Sequence, residues 1–308
     1  MASNIPFGKL VEVFNSGRSS ADEADQGISV IICVDRAAAP ELVAVVREAF
    51  LAEKSGGSVA ISALGEDMVP AGLPDAAIVV SGGTDELTAP AVRELASRGC
   101  PVAVVCESAL MAPDVPSPVD GSQLYDAIAS SDPRDLSDKL ARWLVSASDK
   151  HLAFAANFPF CRDAEVDKLI NAVAVQNAAV GAVTIIPGAD MPVMTANQAK
   201  LALDISAAYG KPLDPARVPE LLGVLGAGFG YRAVARQLLG LVPGLGVVLK
   251  AGVGYAGTVA TGRAIQTRFA GVPEGSRAKE LIDGIAGRFK KKEKPARGGL
   301  VPYDEDVR

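Results

Sequence analysis

The chain has little of what many catalytic and metal sites are built from. Its 308 residues include one histidine, His151, and aromatic residues make up only 5%. A multi-histidine metal site is therefore excluded, and a hydrolytic triad would have only that one imidazole to use. The few aromatic rings also argue against a stacking surface for single-stranded nucleic acid. We expect His151 to have a packing or surface role, and we expect no metal and no cofactor.

Paired cysteines are missing as well. The four cysteines, Cys33, Cys100, Cys106 and Cys161, form no C-x-x-C pair, so zinc and dithiol redox motifs are absent. Cys33 and Cys106 lie in apolar, strand-like runs, which predicts buried, reduced thiols in a cytoplasmic protein. The first twenty residues contain no uninterrupted apolar run, which disfavours a secretory signal.

Charge is divided unevenly along the chain. The net charge is −6, but residues 1–150 hold 11 basic and 22 acidic residues, whereas residues 151–308 hold 19 basic and 14 acidic residues. This division predicts two parts with different partners. The acidic part repels nucleic acid, whereas the basic part suits an anionic membrane surface, and the cluster Arg288–Lys294 adds to that attraction.

Short apolar runs alternate with helical patterns in the first half. This alternation predicts an α/β domain with a parallel sheet over residues 27–148, preceded by a flexible segment at 1–26. The predicted strands are Ile28–Val34, Ser58–Ala63, Ala76–Val80 and Pro101–Cys106. The predicted helices are Pro40–Phe50, Glu86–Arg98, Ser122–Ser130 and Arg134–Ser146.

Ligands of such sheets bind at the carboxyl ends of the strands. The candidate site residues there are Asp35, Arg36, Ser81, Gly82, Gly83, Thr84 and Glu107. A glycine-rich turn before a helix offers free N–H groups to a phosphate or nucleotide. The alternative is ordinary turn chemistry, with the glycines forming the turn and Thr84 or Asp85 capping the next helix.

The order of these motifs resembles that of a small GTPase domain. The stretch Asp75–Ser108 resembles the strand–helix–strand that ends in the guanine-reading loop, and Asp120–Ala129 resembles the start of the last helix. The residues of nucleotide chemistry are missing, however. Asp35–Leu42, DRAAAPEL, has no glycine, no lysine and no hydroxyl of a P-loop. Cys106–Ala109 replaces Asn-Lys-x-Asp, and Asp67 is not followed by the glycine of Asp-x-x-Gly. The resemblance therefore implies a GTPase-like scaffold without its nucleotide chemistry.

Residues 149–290 are predicted to form an all-α domain built from helical hairpins. Helices Leu169–Ile186 and Pro192–Tyr209 flank a break at Pro187, Gly188 and Asp190, where proline ends one helix and an acidic residue can cap the next. Asp190 is either that cap or an ion or ligand site. A related break occurs at Pro243 and Gly244, and residues 291–308 are predicted to be a disordered basic and polar tail.

A clean membrane span is not expected from these helices. Asn171, Gln176 and Asn177 interrupt the first apolar run, and Lys250 lies near the middle of the second. A central lysine costs about 2.5–3.5 kcal/mol on insertion scales. A packed bundle, or hairpins lying shallowly in one leaflet, fits the pattern better.

The helical half resembles the domain of unknown function 697. The resemblance rests on Asp167–Gly210, with its QNAAVGAV, PGADMPV and NQ segments, and on Leu241–Ala264, within a match that covers about Phe154–Phe289. That family is a bacterial helical domain, often found behind GTPase domains and regarded as membrane-associated. The resemblance implies architecture and location, and no established chemistry.

The sequence thus predicts a non-catalytic, cytoplasmic, membrane-associated protein. Its acidic part would be a nucleotide-free GTPase-like binding module, and its helical part would anchor it to the membrane or oligomerise. The expected partners are an anionic membrane surface, another protein or a second copy of the chain, and not nucleic acid. Two alternatives stay open: a diverged nucleotide hydrolase that uses Arg36 and the Ser81–Thr84 turn, and a small-solute channel or carrier component.

Overall fold

The structure is a computed structural model that describes residues 7–65, 72–83, 85–115, 123–183, 191–211 and 246–271. Five strands lie in this part of the chain: β1 Ile28–Val34, β2 Gly57–Ala63, β3 Ala76–Val80, β4 Val102–Cys106 and β5 Asp126–Ala129. The helices of the same ranges are α1 Phe7–Ala24, α2 Pro40–Ala49, α3 Asp85–Ser97, α4 Pro133–Ala147, α5 His151–Asn157, α6 Arg162–Val183, α7 Met191–Ala208 and α8 Gly246–Phe269.

The five strands form one parallel sheet in the order β2-β1-β3-β4-β5. The predicted α/β fold with a parallel sheet is confirmed, and four strands lie within one residue of their predicted bounds. Every residue of β3 and β4 is buried. Continuous apolar runs such as these are typical of parallel strands that are covered on both faces.

One predicted helix is wrong. Residues 122–130 were expected to be helical, but Asp126–Ala129 form β5, which pairs in parallel with β4. The edge of β4 offers a ladder of backbone hydrogen bonds that overrides the weak helical preference of four residues. Trp143 of α4 fixes the start of β5, since its indole N–H donates to Asp126 Oδ2 at 2.8 Å. Trp143 thus packs in the closing helix, as predicted.

The segment 1–26 was expected to be flexible, but its residues 7–24 are helical in the structure. Residues 7–24 form α1, and Ser20 and Ala24 of this helix are buried. The α1 helix packs against α5 and α7. Tertiary contacts from distant helices therefore order a polar segment whose own sequence pattern gave little sign of helix.

Helices α6, α7 and α8 form a second layer. Helices α6 and α8 run antiparallel: Asp163 at the start of α6 pairs with Gln266 near the end of α8, and Asn171 in the middle of α6 meets Tyr255 in the middle of α8. Helices α7 and α8 run in parallel at a constant offset. Met194 lies next to Gly254, and the ring of Tyr209 stacks on that of Phe269 with centroids 5.9 Å apart.

The core runs without a break from the sheet into this helical layer. One buried cluster joins a face of the sheet to α2 and α4 and continues through α5, α6, α7 and α8. Phe154 and Phe158 are fully buried at the junction, and Phe158 meets Phe50 of the α/β part edge to face at 5.2 Å. The boundary expected at 148/149 therefore lies inside a shared core. A smaller cluster beneath α3 covers the other face of the sheet.

Of the helical break predicted at residues 187–190, the structure describes only the start of the helix that follows it. Pro192 is the second residue of α7, in the first turn as expected. The other residues of the two breaks, Pro187, Gly188, Asp190, Pro243 and Gly244, lie outside the described residues, as do the cluster at 288–294 and the tail at 291–308.

None of the helices in the described ranges is both long and apolar enough to cross a membrane. Helices α6 and α8 have 22 and 24 residues, so they have the length but not the apolar character.

All four thiols are buried, as predicted for Cys33 and Cys106. Burial raises the pKa of Cys33 to about 11 and that of Cys100 to about 12. Thiolates are the reactive species, so we expect Ellman's reagent to modify none of the four cysteines in the native protein at about pH 8 and all of them in denaturant. Rapid modification of one native thiol would contradict this packing.

Candidate functional site

The strand order places the candidate site between β1 and β3. These neighbouring strands lead to connections on opposite sides of the sheet, and in open α/β sheets ligands bind at this point, beyond the carboxyl ends. Asp35 and Ser81 are the first residues after the two strands. Their backbone N–H groups extend the sheet, because Asp35 N donates to Val80 O and Ser81 N to Val105 O, both at 2.9 Å.

The carboxylate of Asp35 takes up N–H groups that a bound anion would use. The side chain is only 3% exposed. Its Oδ1 accepts from the Ala37 amide at 2.9 Å, and its Oδ2 accepts from the Gly82 amide at 3.1 Å. One of these donors belongs to the turn after β1 and the other to the turn after β3. An internal carboxylate thus joins both turns at the place where a phosphate would be cradled.

Gly82 allows the two turns to touch. A Cβ atom at this position would lie 2.5 Å from the carbonyl oxygen of Ala37 and 2.6 Å from the amide nitrogen of Ala38. Both of these neighbours are backbone atoms, which cannot rotate away. The glycine that the sequence offered as part of a phosphate turn is therefore required here for close packing of the chain against itself.

The side chain of Ser81, like that of Asp35, is buried and bonds to a backbone amide of the turn. Its side chain is buried, and its Oγ accepts from the Gly83 amide at 3.1 Å and lies 3.4 Å from Thr88 Oγ1 of α3. Gly83 has a φ of +88°, a conformation that favours glycine. Thr84 lies outside the described residues. The turn after β3 is thus closed by its own hydroxyl.

Two further candidates lie near this point but are exposed. Arg36 follows Asp35, and Glu107 follows β4. The next residue, Ser108, caps a short 3₁₀ turn through its Oγ, which accepts from the Leu110 amide at 3.3 Å. The structure therefore brings together Asp35, Ser81, Gly82 and Gly83, with Arg36 and Glu107 at the rim.

The electrostatics of this arrangement oppose a phosphate. Two like unit charges about 4 Å apart repel by about 4 kcal/mol where the effective dielectric constant is about 20. Asp35 would exert such a repulsion on any anion placed at its amide donors. What the arrangement can do chemically is hold the two turns in a fixed shape.

A second cluster was not found by sequence reasoning. The His151 ring lies between two carboxylates, with Nδ1 2.9 Å from Glu165 Oε1 and Nε2 3.8 Å from Glu23 Oε1. These glutamates come from α6 and α1. Their separations of 14 and 128 residues from the histidine match no motif, so no sequence signal pointed to them.

A polar level inside the helical layer was also missed. Asn177 donates to Thr258 Oγ1 and accepts from Asn197 Nδ2, both at 2.9 Å, and links three helices. Gln198 is fully buried, yet its amide has no hydrogen-bond partner. A sequence signal existed here, because Asn177, Asn197 and Gln198 interrupt apolar runs.

No metal centre is evident in the part of the chain that the structure covers, where no three His, Cys, Asp or Glu side chains are grouped closely enough to hold an ion.

Comparisons with known protein families, with curated proteins and with solved structures gave no match.

The contact at Gly82 yields a stability prediction. We expect Gly82→Ala to lower the free energy of unfolding by about 1–3 kcal/mol, because the added methyl group forces the two turns apart. Urea denaturation followed by the fluorescence of Trp143 measures this change.

Gly27→Ala is the matched control, because a Cβ at Gly27 meets nothing within 4 Å. Its unfolding midpoint should stay close to that of the unmodified chain. Equal stabilities of the two variants would show that the turns do not touch as described.

Proposed function

We propose that this chain is a non-catalytic, membrane-associated protein. In this proposal the α/β part is a nucleotide-free, GTPase-like binding module, and the helical part anchors the protein to a membrane surface or oligomerises. The observation that carries the proposal is the buried carboxylate of Asp35, which takes up amide donors of both turns at the ligand-binding end of the sheet.

Several features support a GTPase-like scaffold without its chemistry. Five parallel strands with α2 and α3 as crossover helices fit the motif order that resembles a GTPase. The segment after β1 has Asp35, Arg36 and three alanines, and so has neither the glycines nor the lysine of a P-loop. Its helix, α2, begins at Pro40 after Ala39, with no side-chain cap. In this proposal the scaffold, which has an internal anion in place of a phosphate, binds another protein.

The surface of the helical layer supports membrane contact. On α6 the last charged residue is Lys168, and α8 carries no charge between Lys250 and Arg263. We call the exposed residues of this stretch the α6/α8 face. They are Asn171, Ala172, Val175, Gln176, Ala179 and Val183 of α6 and Gly252, Tyr255, Ala256 and Ala260 of α8.

Two side chains of this face are strongly exposed apolar groups. Val183 is 76% exposed and Val175 is 58% exposed. In this proposal the exposed apolar side chains of the face lie in the interfacial region of a bilayer, where they leave water without spanning the membrane. The basic excess of residues 151–308 and the cluster Arg288–Lys294 would add attraction to anionic lipid, at about 1 kcal/mol per charge.

The nucleotide-free module is tested by calorimetry. We expect no heat of binding when GTP, GDP or ATP is titrated into the full chain with Mg²⁺, up to millimolar concentrations. Asp35 repels the phosphates and already holds the amide donors. Micromolar binding of any of these nucleotides would overturn the nucleotide-free module, and its loss in Arg36→Ala would favour the diverged hydrolase.

Membrane association is tested by flotation with lipid vesicles. We expect the chain to float with vesicles that contain phosphatidylserine and to be released by high salt, because the attraction to anionic lipid is screened. A double variant, Val175→Asp with Val183→Asp, should bind at least about tenfold more weakly. Two new carboxylates must be desolvated at the lipid, and about 1.4 kcal/mol is already tenfold in affinity.

The control variant also introduces two aspartates at exposed apolar residues, but in the α/β part of the protein. Leu51 and Leu110 are exposed by 64% and 96% and lie in the α/β part. Leu51→Asp with Leu110→Asp should float like the unmodified chain. Equal loss in both double variants, or no flotation of the unmodified chain, would contradict the role of the α6/α8 face.

A further inference from the structure

Helix α1 packs against α5 and α7, and polar contacts add to this packing. Ser20 Oγ donates to the buried carboxylate of Asp204 at 2.6 Å, and Gly17 lies against the side chain of Leu203. At the end of the helix, Asp25 pairs with Lys54 at 2.8 Å. Charged groups thus lie at the C-terminal end of α1, where a change of charge on a contacting residue acts on its docking.

His151 is the group that links this end of α1 to the centre of the helical layer. Its Nδ1 lies 2.9 Å from Oε1 of Glu165 on α6, and its Nε2 lies 3.8 Å from Oε1 of Glu23 on α1. The backbone N–H of Leu152 also donates to Glu23 Oε1, at 3.4 Å. One imidazole thus faces a carboxylate with each of its two nitrogens.

The buried carboxylate of Glu165 requires a hydrogen-bond donor or a positive charge beside it. Its side chain is fully buried, and its Oε2 has no hydrogen-bond partner. A buried carboxylate needs a donor or a counter-charge, because desolvation otherwise costs several kcal/mol. The imidazole supplies that group, and Lys168, which also acts on the imidazole, is engaged by the Val145 carbonyl at 2.6 Å.

We propose that His151 is a proton-controlled clamp that holds α1 on the helical layer. In the charged imidazolium both nitrogens carry a proton, so the ring donates to Glu165 and attracts Glu23 at the same time. When the ring loses one proton to solvent, the buried Glu165 retains the N–H at Nδ1. Nε2 then turns a lone pair toward the carboxylate of Glu23, and the attraction becomes repulsion.

The direction of the pH dependence follows from the same contacts. The hydrogen bond to Glu165 raises the pKa of His151 above its usual 6.5, against an opposing effect of burial, and the charges of Glu165 and Glu23 raise it further while Lys168 lowers it. A raised folded-state pKa means that the clamp contributes in full below about pH 6.5 and is lost as the pH rises through the raised value. Helix α1 is thus held at acidic pH and loosened once the pH exceeds the raised pKa of His151.

Hydrogen exchange of α1 tests the clamp in the full chain. After correction for intrinsic exchange rates, we expect the amides of residues 17–24 to open several-fold more often at about pH 8.5 than at about pH 5.5. The amides of β3 should show no such change. Since the chain has only one histidine, the imidazole signal in an NMR titration should report the same midpoint as the exchange data.

Three variants distinguish the clamp from a general pH effect. His151→Gln should give α1 protection that no longer varies across this range. Glu23→Gln changes a half-exposed side chain, and it should reduce the variation without unfolding the layer, which keeps the test valid if His151→Gln is unstable. Asp25→Asn is the matched control, because it removes the neighbouring ion pair of α1 but should leave the pH dependence intact.

Two results would overturn the proposal. One is equal protection of α1 at both pH values in the unmodified chain. The other is an undiminished pH dependence in both Glu23→Gln and His151→Gln, which would assign the effect to another group.

Discussion

A single buried carboxylate holds together the two turns at the carboxyl end of the sheet. Asp35 accepts one amide from the turn after β1 and one from the turn after β3, and Gly82 lets the two backbones touch. In an open α/β sheet these amides are the natural donors for a bound anion. Here the anion is part of the chain. The two amide donors therefore serve the internal cohesion of the turns, and the proposed nucleotide-free module rests on this arrangement.

The sequence predicted the sheet well because its strands are chemically distinct. β1, β3 and β4 are continuous apolar runs rich in valine and isoleucine, and parallel strands buried on both faces require this composition. The helices α2, α3 and α4 were predicted within one or two residues, since proline or turn residues mark their ends. Prediction failed where distant contacts decide the structure. β5 depends on the edge of β4, and α1 depends on α5 and α7.

The sequence predicted the position of the candidate site but not the hydrogen bonds that its residues make. Asp35 and Ser81–Gly83 were expected at the carboxyl ends of parallel strands, and the strand order of the structure makes them neighbours. That Asp35 would bond to Gly82, 47 residues away, was not predictable, because turn chemistry describes only local partners. His151 was expected to pack or to lie at the surface, and its contacts with Glu23 and Glu165 come from three separate helices. Pairings across such separations leave no local pattern in one sequence.

The shared core has a consequence for how this protein can be dissected. Phe154 and Phe158 belong to the helical half, yet they fill the face of the sheet beside Phe50 and the helices that cover it. A fragment that stops at residue 148 would lose these rings and leave apolar surface open to water, and the complementary fragment would expose the rings themselves. The two halves should therefore melt in a single cooperative step, and neither should persist as an autonomous folding unit. The free energy of unfolding therefore belongs to the two halves together, and a change in the stability of one half is felt by the other.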